Sequence, residues 1–138
     1  MIKIFLDASV IIAAILSPGG GSAKVIKLSQ LGTWSQITSQ TVIDEVKGHT
    51  QKINKTKDEI NQFITENNIL VRKRVTISET KSLRGLIEPT DAHLIAGANL
   101  TQCEYLVTLD KKHLLKEDIK NRFKPLKIVN PEELLRNP

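Results

Sequence analysis

The sequence predicts an α/β fold: a three-layer α/β/α sandwich around a central, mostly parallel sheet of about five strands. Three observations carry this. Short apolar runs alternate with longer amphipathic stretches along the chain, the pattern of successive βαβ units. The runs Ile2–Leu6 and Tyr105–Leu109 have little polar interruption, as strands do when helices cover both sheet faces. The 138 residues match the usual length of one domain, so residues 1–138 are expected to fold as a single unit.

Taken in order, the first strand is expected over Ile2–Leu6. Ser9 is placed to cap a helix running to Leu16, which Ser17-Pro18-Gly19-Gly20-Gly21 stops. Ser22 is expected to cap a helix over Ala23–Leu31, closed by Gly32. A strand over Trp34–Thr38 leads into a helix through Val46, capped by Ser39 or Thr38 and ending near Gly48. Ile60, Phe63 and Ile64 have helical spacing within Asp58–Asn67, and Ile69–Lys73 is the next strand. After Pro89, Thr90 is expected to cap a helix over Asp91–Leu100. Tyr105–Leu109 and Leu126–Val129 are the last strands. Asn130-Pro131-Glu132-Glu133 opens a final helix, with Asn as cap, Pro in first position and acids in the first turn.

Composition narrows the function classes. Lys and Arg total 20 against 15 acids, a net charge of +5, which favours polyanionic partners. Aromatic residues make up 4%, too few for domains that stack single-stranded bases on aromatic platforms. The lone Cys103 excludes an internal disulfide framework and a thiolate zinc site. The apolar run Val10–Leu16 is far shorter than a membrane span of about 20 residues, and it lacks the flanks of a signal peptide. A cytoplasmic protein without membrane contact is expected.

The placement of a few carboxylates is the informative feature. Asp7 follows the first predicted strand and Asp110 follows the Tyr105 strand. Functional groups of open parallel sheets gather outside such carboxyl ends. Glu45 lies three residues after Val42, on its helical face, whereas Asp44 points elsewhere. Asp91 shares a face with Leu94, Ile95 and Ala98 and sits where a helix dipole favours negative charge. Singly, each acid has an ordinary explanation as a cap, a dipole partner, a surface group or a turn residue. Jointly, all four border apolar segments that should pack together. Clustered carboxylates repel, and a hard divalent cation relieves that repulsion: Mg²⁺ and Mn²⁺ prefer oxygen ligands. An acidic cage in a basic protein suggests phosphodiester hydrolysis, with the basic surface holding a nucleic acid backbone.

The segments Ile4-Phe5-Leu6-Asp7-Ala8-Ser9, Ser39 to Val46, Thr90 to Ala98 and Tyr105 to Asp110 together resemble the PIN domain family in order and spacing. This family comprises metal-dependent ribonucleases, many of them toxins of toxin–antitoxin pairs. The resemblance implies a PIN-like fold and endonucleolytic RNA cleavage with Mg²⁺ or Mn²⁺. It assigns the acidic site to Asp7, Glu45, Asp91 and Asp110, with Asp7, Asp91 and Asp110 as the principal metal ligands. Glu45 would bind a metal or its waters, or orient the attacking water. Ser9 and Thr108 match hydroxyl positions of the family and would hydrogen-bond ligands or waters. An RNA substrate, an antitoxin protein and a homodimer are the partners it implies. The Leu16–Ser22 segment is similar to a toxin subgroup with a Gly-rich loop after the first helix.

Other features carry less. Gly19–Gly21 lacks the spacing and the Lys-Ser/Thr pair of a P-loop and reads as a turn. His93 and His113 follow Asp91 and Asp110 closely, but imidazole suits zinc better than magnesium. His113 fits a groove residue better than a ligand. His49 sits in a polar loop and carries no signal. Cys103 reads as a small packing residue. Basic residues concentrate in 47–57, 72–74 and 111–127. Lys111 and Lys112 directly follow Asp110 and are expected at the mouth of the acidic pocket, in reach of RNA phosphates. The alternative is a PIN-like module that binds RNA or protein without cutting. A phosphotransfer domain fits poorly, because position 9 is Ser where a HAD-type phosphatase needs a second Asp, and a receiver's acidic pair is missing.

Overall fold

The computed structural model describes residues 1–136; the last two residues of the expected 1–138 unit lie outside the described residues. The elements are β1 (Lys3–Leu6), α1 (Ala8–Leu16), α2 (Gly21–Gln30), β2 (Ser35–Ser39), α3 (Gln40–Lys47), α4 (Thr50–Ile53), α5 (Lys57–Glu66) and β3 (Leu70–Arg72). Then come α6 (Ile77–Thr80), a 3₁₀ turn at Lys81–Leu83, α7 (Ala92–Leu100), β4 (Tyr105–Val107), α8 (Glu117–Arg122), β5 (Lys127–Val129) and α9 (Pro131–Arg136).

The five strands form one parallel sheet in the order β3-β2-β1-β4-β5. Successive residues of a strand face opposite sides of the sheet. Ile4, Phe5 and Leu6 are all fully buried, so both faces of central β1 are covered, as the expected sandwich requires. On the Phe5 side α7 packs against the ring at Gly97, where any Cβ would lie 2.7 Å from Phe5 Cζ. On α2, the Val25 carbonyl accepts a hydrogen bond from the buried Trp34 indole at 3.0 Å, which ties that helix to the start of β2. No single helix among the described residues is long and apolar enough to cross a membrane.

Strand order decides where a ligand can enter. From β1 the chain steps to β2 and β3 on one side, then returns to place β4 on the other side of β1. The direction of winding therefore reverses between β1 and β4. At such a switch point the connections diverge to opposite faces and leave a crevice at the carboxyl ends.

Several expected helix starts are corrected. The cap of α1 is Asp7, not Ser9, and that of α2 is Gly20, not Ser22. Ser22 is buried inside the helix. Asp91, not Thr90, occupies the cap position of α7, so the helix begins at Ala92. Ser39 does cap α3, accepting from Val42 N at 3.2 Å. Asn130 and Glu133 exchange side-chain-to-backbone bonds of 2.8 and 3.1 Å in a capping box. Gly32 closes α2 with φ of 87°, a left-handed conformation that glycine adopts without a Cβ clash. Strand β3 is shorter than expected and lies at the sheet edge, with Leu70 and Val71 exposed. The short helices α4, α6 and α8 leave no pattern in the sequence because four to six residues carry too little periodicity.

Candidate active site

The crevice at the switch point is a cavity of about 520 Å³, lined by Asp7, Ser9, Glu45, Asp91 and Asp110 together with His49, Lys52, Leu94 and Leu109. All four acids singled out in the sequence therefore meet in one place. They arrive from four separate segments: the end of β1, the exposed side of α3, the cap of α7 and the loop after β4.

Asp7 is buried and held by two hydroxyls. Ser9 Oγ donates to its Oδ2 at 3.0 Å, and Thr108 Oγ1 donates to the same oxygen at 2.7 Å. Neither hydroxyl stops there. Ser9 Oγ accepts from Leu109 N at 3.1 Å, and Thr108 Oγ1 accepts from Asp110 N at 3.1 Å. Ser9 is thus a clasp between the first helix and the β4 loop, which explains a hydroxyl placed past the cap position at Asp7. Thr108 lies just beyond β4, although its N–H still reaches Val129 O at 3.0 Å. Asp110 is three residues past the end of β4, not directly after it. Its Oδ1 accepts from the N–H groups of Lys112 and His113 at 3.0 Å each, so the carboxylate orders its own turn.

Glu45 and Asp44 separate as their helical positions imply. Asp44 turns away to pair with Arg74. Glu45 faces the cavity, and its Oε1 lies 2.7 Å from His93 Nε2. The sequence offers His93 only as a disfavoured metal ligand; the approach of α7 to α3 gives it a carboxylate partner instead. His113, expected as a groove residue rather than a ligand, has its Nδ1 3.3 Å from Asp110 Oδ2. His49 and Lys52 also escaped, because α4 turns them toward the cavity and a four-residue helix leaves no sequence pattern. Lys111 and Lys112 are exposed on the turn after Asp110 and lie outside the lining residues. Of the 72–74 basic cluster, Arg72 pairs with Glu79 and Arg74 with Asp44.

Burial and mutual repulsion set the electrostatics. Burial pushes the Asp7 carboxyl above its ordinary value, against the lowering effect of the Thr108 and Ser9 hydrogen bonds; the Glu45 charge adds to the rise. Burial and then the Asp110 charge raise Asp91, with His113 opposing. Among the described residues, Asp91 Oδ2 is buried without any hydrogen-bond partner, a costly arrangement for a carboxylate oxygen unless a cation meets it. Asp91, Asp110 and His113 offer ligand atoms within 4.8 Å of one another, while Asp7 and Glu45 line the same cavity outside that tight group. The donors are mostly hard carboxylate oxygens, and Asp91, which carries the orphaned oxygen, is one of them, so the residues fit a divalent cation such as Mg²⁺ or Mn²⁺.

A parallel α/β sheet with a carboxylate pocket at its switch point defines a class of acid-site α/β proteins. Within it, a family profile described as PIN domain matches residues 3–112, and the chain belongs to the PIN domain family. No curated protein sequence matches it. Among solved structures, it is similar to that of VapBC2 from Rickettsia felis bound to a DNA fragment from its promoter. The TM-score is 0.67 at 16% identity, covering 94% of this chain and 98% of the other. It is also similar to VapC20 from Mycobacterium tuberculosis, described as a toxin that cleaves the sarcin–ricin loop. There the TM-score is 0.57 at 15% identity, with 79% and 91% of the two chains covered.

Proposed function

We propose that this chain is a divalent-metal-dependent endoribonuclease and the toxin of a toxin–antitoxin pair, acting in the cytoplasm as a single PIN-like domain. The observation that carries the proposal is the convergence of Asp7, Glu45, Asp91 and Asp110 on one cavity, with Asp91 Oδ2 buried and unpartnered. Family membership and the likeness to VapC20, a toxin that cleaves an RNA loop, support an RNA substrate. The likeness to VapBC2 supports an antitoxin protein as partner, and the family resemblance extends to a homodimer.

Asp7, Asp91 and Asp110 are the residues proposed to hold Mg²⁺ or Mn²⁺. A bound ion of this kind supplies charge neutralisation at the phosphate and activation of water. The remaining work falls to the protein's own groups. Ser9 and Thr108 fix the Asp7 oxygen they share, leaving its other oxygen for the cavity. Glu45, an acceptor at the cavity wall, orients the attacking water and receives its proton. Lys52 and His49 inside the cavity, and Lys111 and Lys112 on its outer turn, meet the RNA phosphates and hold the backbone across the carboxylates.

The test is cleavage of structured RNA with Mn²⁺ or Mg²⁺, against EDTA and against Asp7→Asn and Asp91→Asn. Products that require metal and vanish in both variants are expected. Equal activity in the variants would sink the site. RNA binding that needs no metal and yields no products would favour the non-cleaving module instead.

A further inference from the structure

Behind the lining of the acidic cavity, one side chain meets Glu45 with a geometry that neither the family match nor the acid pattern explains. The imidazole of His93 is almost enclosed, with 12% of its side chain exposed, and its Nε2 lies 2.7 Å from Glu45 Oε1. A carboxylate at that distance only accepts, so Nε2 carries the hydrogen. The other ring nitrogen, Nδ1, is buried and has no partner among the described residues. It therefore fits a bare lone pair, because a buried N–H with no acceptor is the costlier arrangement. The hydrogen bond to Glu45 thus selects the Nε2–H tautomer.

Glu45 needs such a partner. It projects from an exposed stretch of α3, with 46% of its side chain exposed, and no other hydrogen bond or ion pair restrains it among the described residues. A free glutamate has several rotatable bonds and would sample many positions at the cavity wall. His93 is anchored by contrast, since it is the second residue of α7, whose next four residues are all buried. One oxygen of Glu45 is held by a rigid element while the second stays available to the cavity.

We propose that His93 is a positioning residue: through Nε2–H it holds the Glu45 carboxylate at the angle in which its free oxygen serves the attacking water. This rests on the proposed hydrolysis for its consequence and on geometry alone for the bond. The same hydrogen bond ties α7, whose cap is Asp91, to α3, which carries Glu45. Loss of the donor should loosen Glu45 and slow the chemical step, leaving RNA binding largely intact. Partners of this kind typically account for about 10–100-fold in activity.

Two measurements test it. In the first, kcat and KM are compared for the parent chain, His93→Phe and His93→Gln, with circular dichroism to verify folding. The Gln amide nitrogen can reach the ε position, whereas Phe fills the space without a donor. Phe is expected to lower kcat about 10–100-fold with KM changed less than about threefold, and Gln to restore most of the rate. A kcat for Phe within about twofold of the parent, or a Gln variant as slow as Phe, would overturn the proposal. In the second, nitrogen-15 NMR of histidine-labelled protein reads the His93 tautomer in the parent and in Glu45→Ala. A protected Nε2–H signal that disappears in Glu45→Ala is expected. Its absence from the parent overturns the proposal whatever the activity, while its presence in a chain that cleaves no RNA refutes the nuclease instead.

Discussion

Thr108 Oγ1 donates to Asp7 Oδ2, 101 residues away along the chain, at 2.7 Å while accepting from Asp110 N at 3.1 Å, so one hydroxyl couples two acids from distant segments. It sits at the junction of β1 and β4, where the winding of the sheet reverses. The alignment of the cavity therefore depends on a residue that never touches solvent.

Thr108→Val removes that hydroxyl at almost constant volume. A buried carboxylate loses a donor and the Asp110 N–H loses its acceptor, which should cost about 1–3 kcal/mol of stability. Cleavage should fall by about 10–100-fold. Thr108→Ser keeps the oxygen and should recover most of both. Urea unfolding and cleavage rates on the three proteins check this.

Asp91 provides a pH signature. Its folded-state value is raised above 3.8, so from that pH upward the folded chain binds protons more tightly than the unfolded one. Stability of the metal-free protein then falls as pH rises through the window and stays reduced above it. Asp91→Asn should raise the metal-free melting temperature at neutral pH, because the burial and repulsion that raise the Asp91 carboxyl no longer oppose a charge there. The gain should vanish below pH 3.8. Added Mn²⁺ should raise the parent Tm, and raise the variant's less. Thermal melts across pH, with and without Mn²⁺, measure both effects.

Lys52 lines the cavity and Lys111 does not. Lys52→Ala should weaken RNA binding and flatten the dependence of log K on log salt by about 0.7 for a single-stranded contact. Lys111→Ala should weaken it less. Fluorescence anisotropy with an Asp7→Asn background, titrated over salt, separates the two.

Gly97 is where α7 rests on β1. A Cβ there would lie 2.7 Å from Phe5 Cζ and 3.0 Å from Cε2. Gly97→Ala should destabilise by about 1–3 kcal/mol through overpacking, offset in part by about 1 kcal/mol of helix propensity. Phe5→Leu makes room, so the pair should couple by about 0.5–3 kcal/mol in a double-mutant cycle of urea unfolding.

Sequence alone determined the alternation of strands and helices, the central apolar runs of β1 and β4, and the four acids that converge. These are legible because hydrophobic period and strand-end placement are local properties. Glu45 could be told from Asp44 by its position relative to Val42, and the structure turns them apart as that spacing implies. Ser9 and Thr108 were found only through the family pattern; composition and spacing would have left Ser9 as a helix cap, which it is not. Tertiary structure decided the rest. The pairing of His93 with Glu45 depends on how α7 packs beside α3, and the reach of Lys52 depends on a single turn of helix after Gly48. So do the switch point between β1 and β4 and the orphaned oxygen of Asp91. Each is a meeting of groups distant along the chain, and nothing in the neighbours of either partner encodes the distance between them.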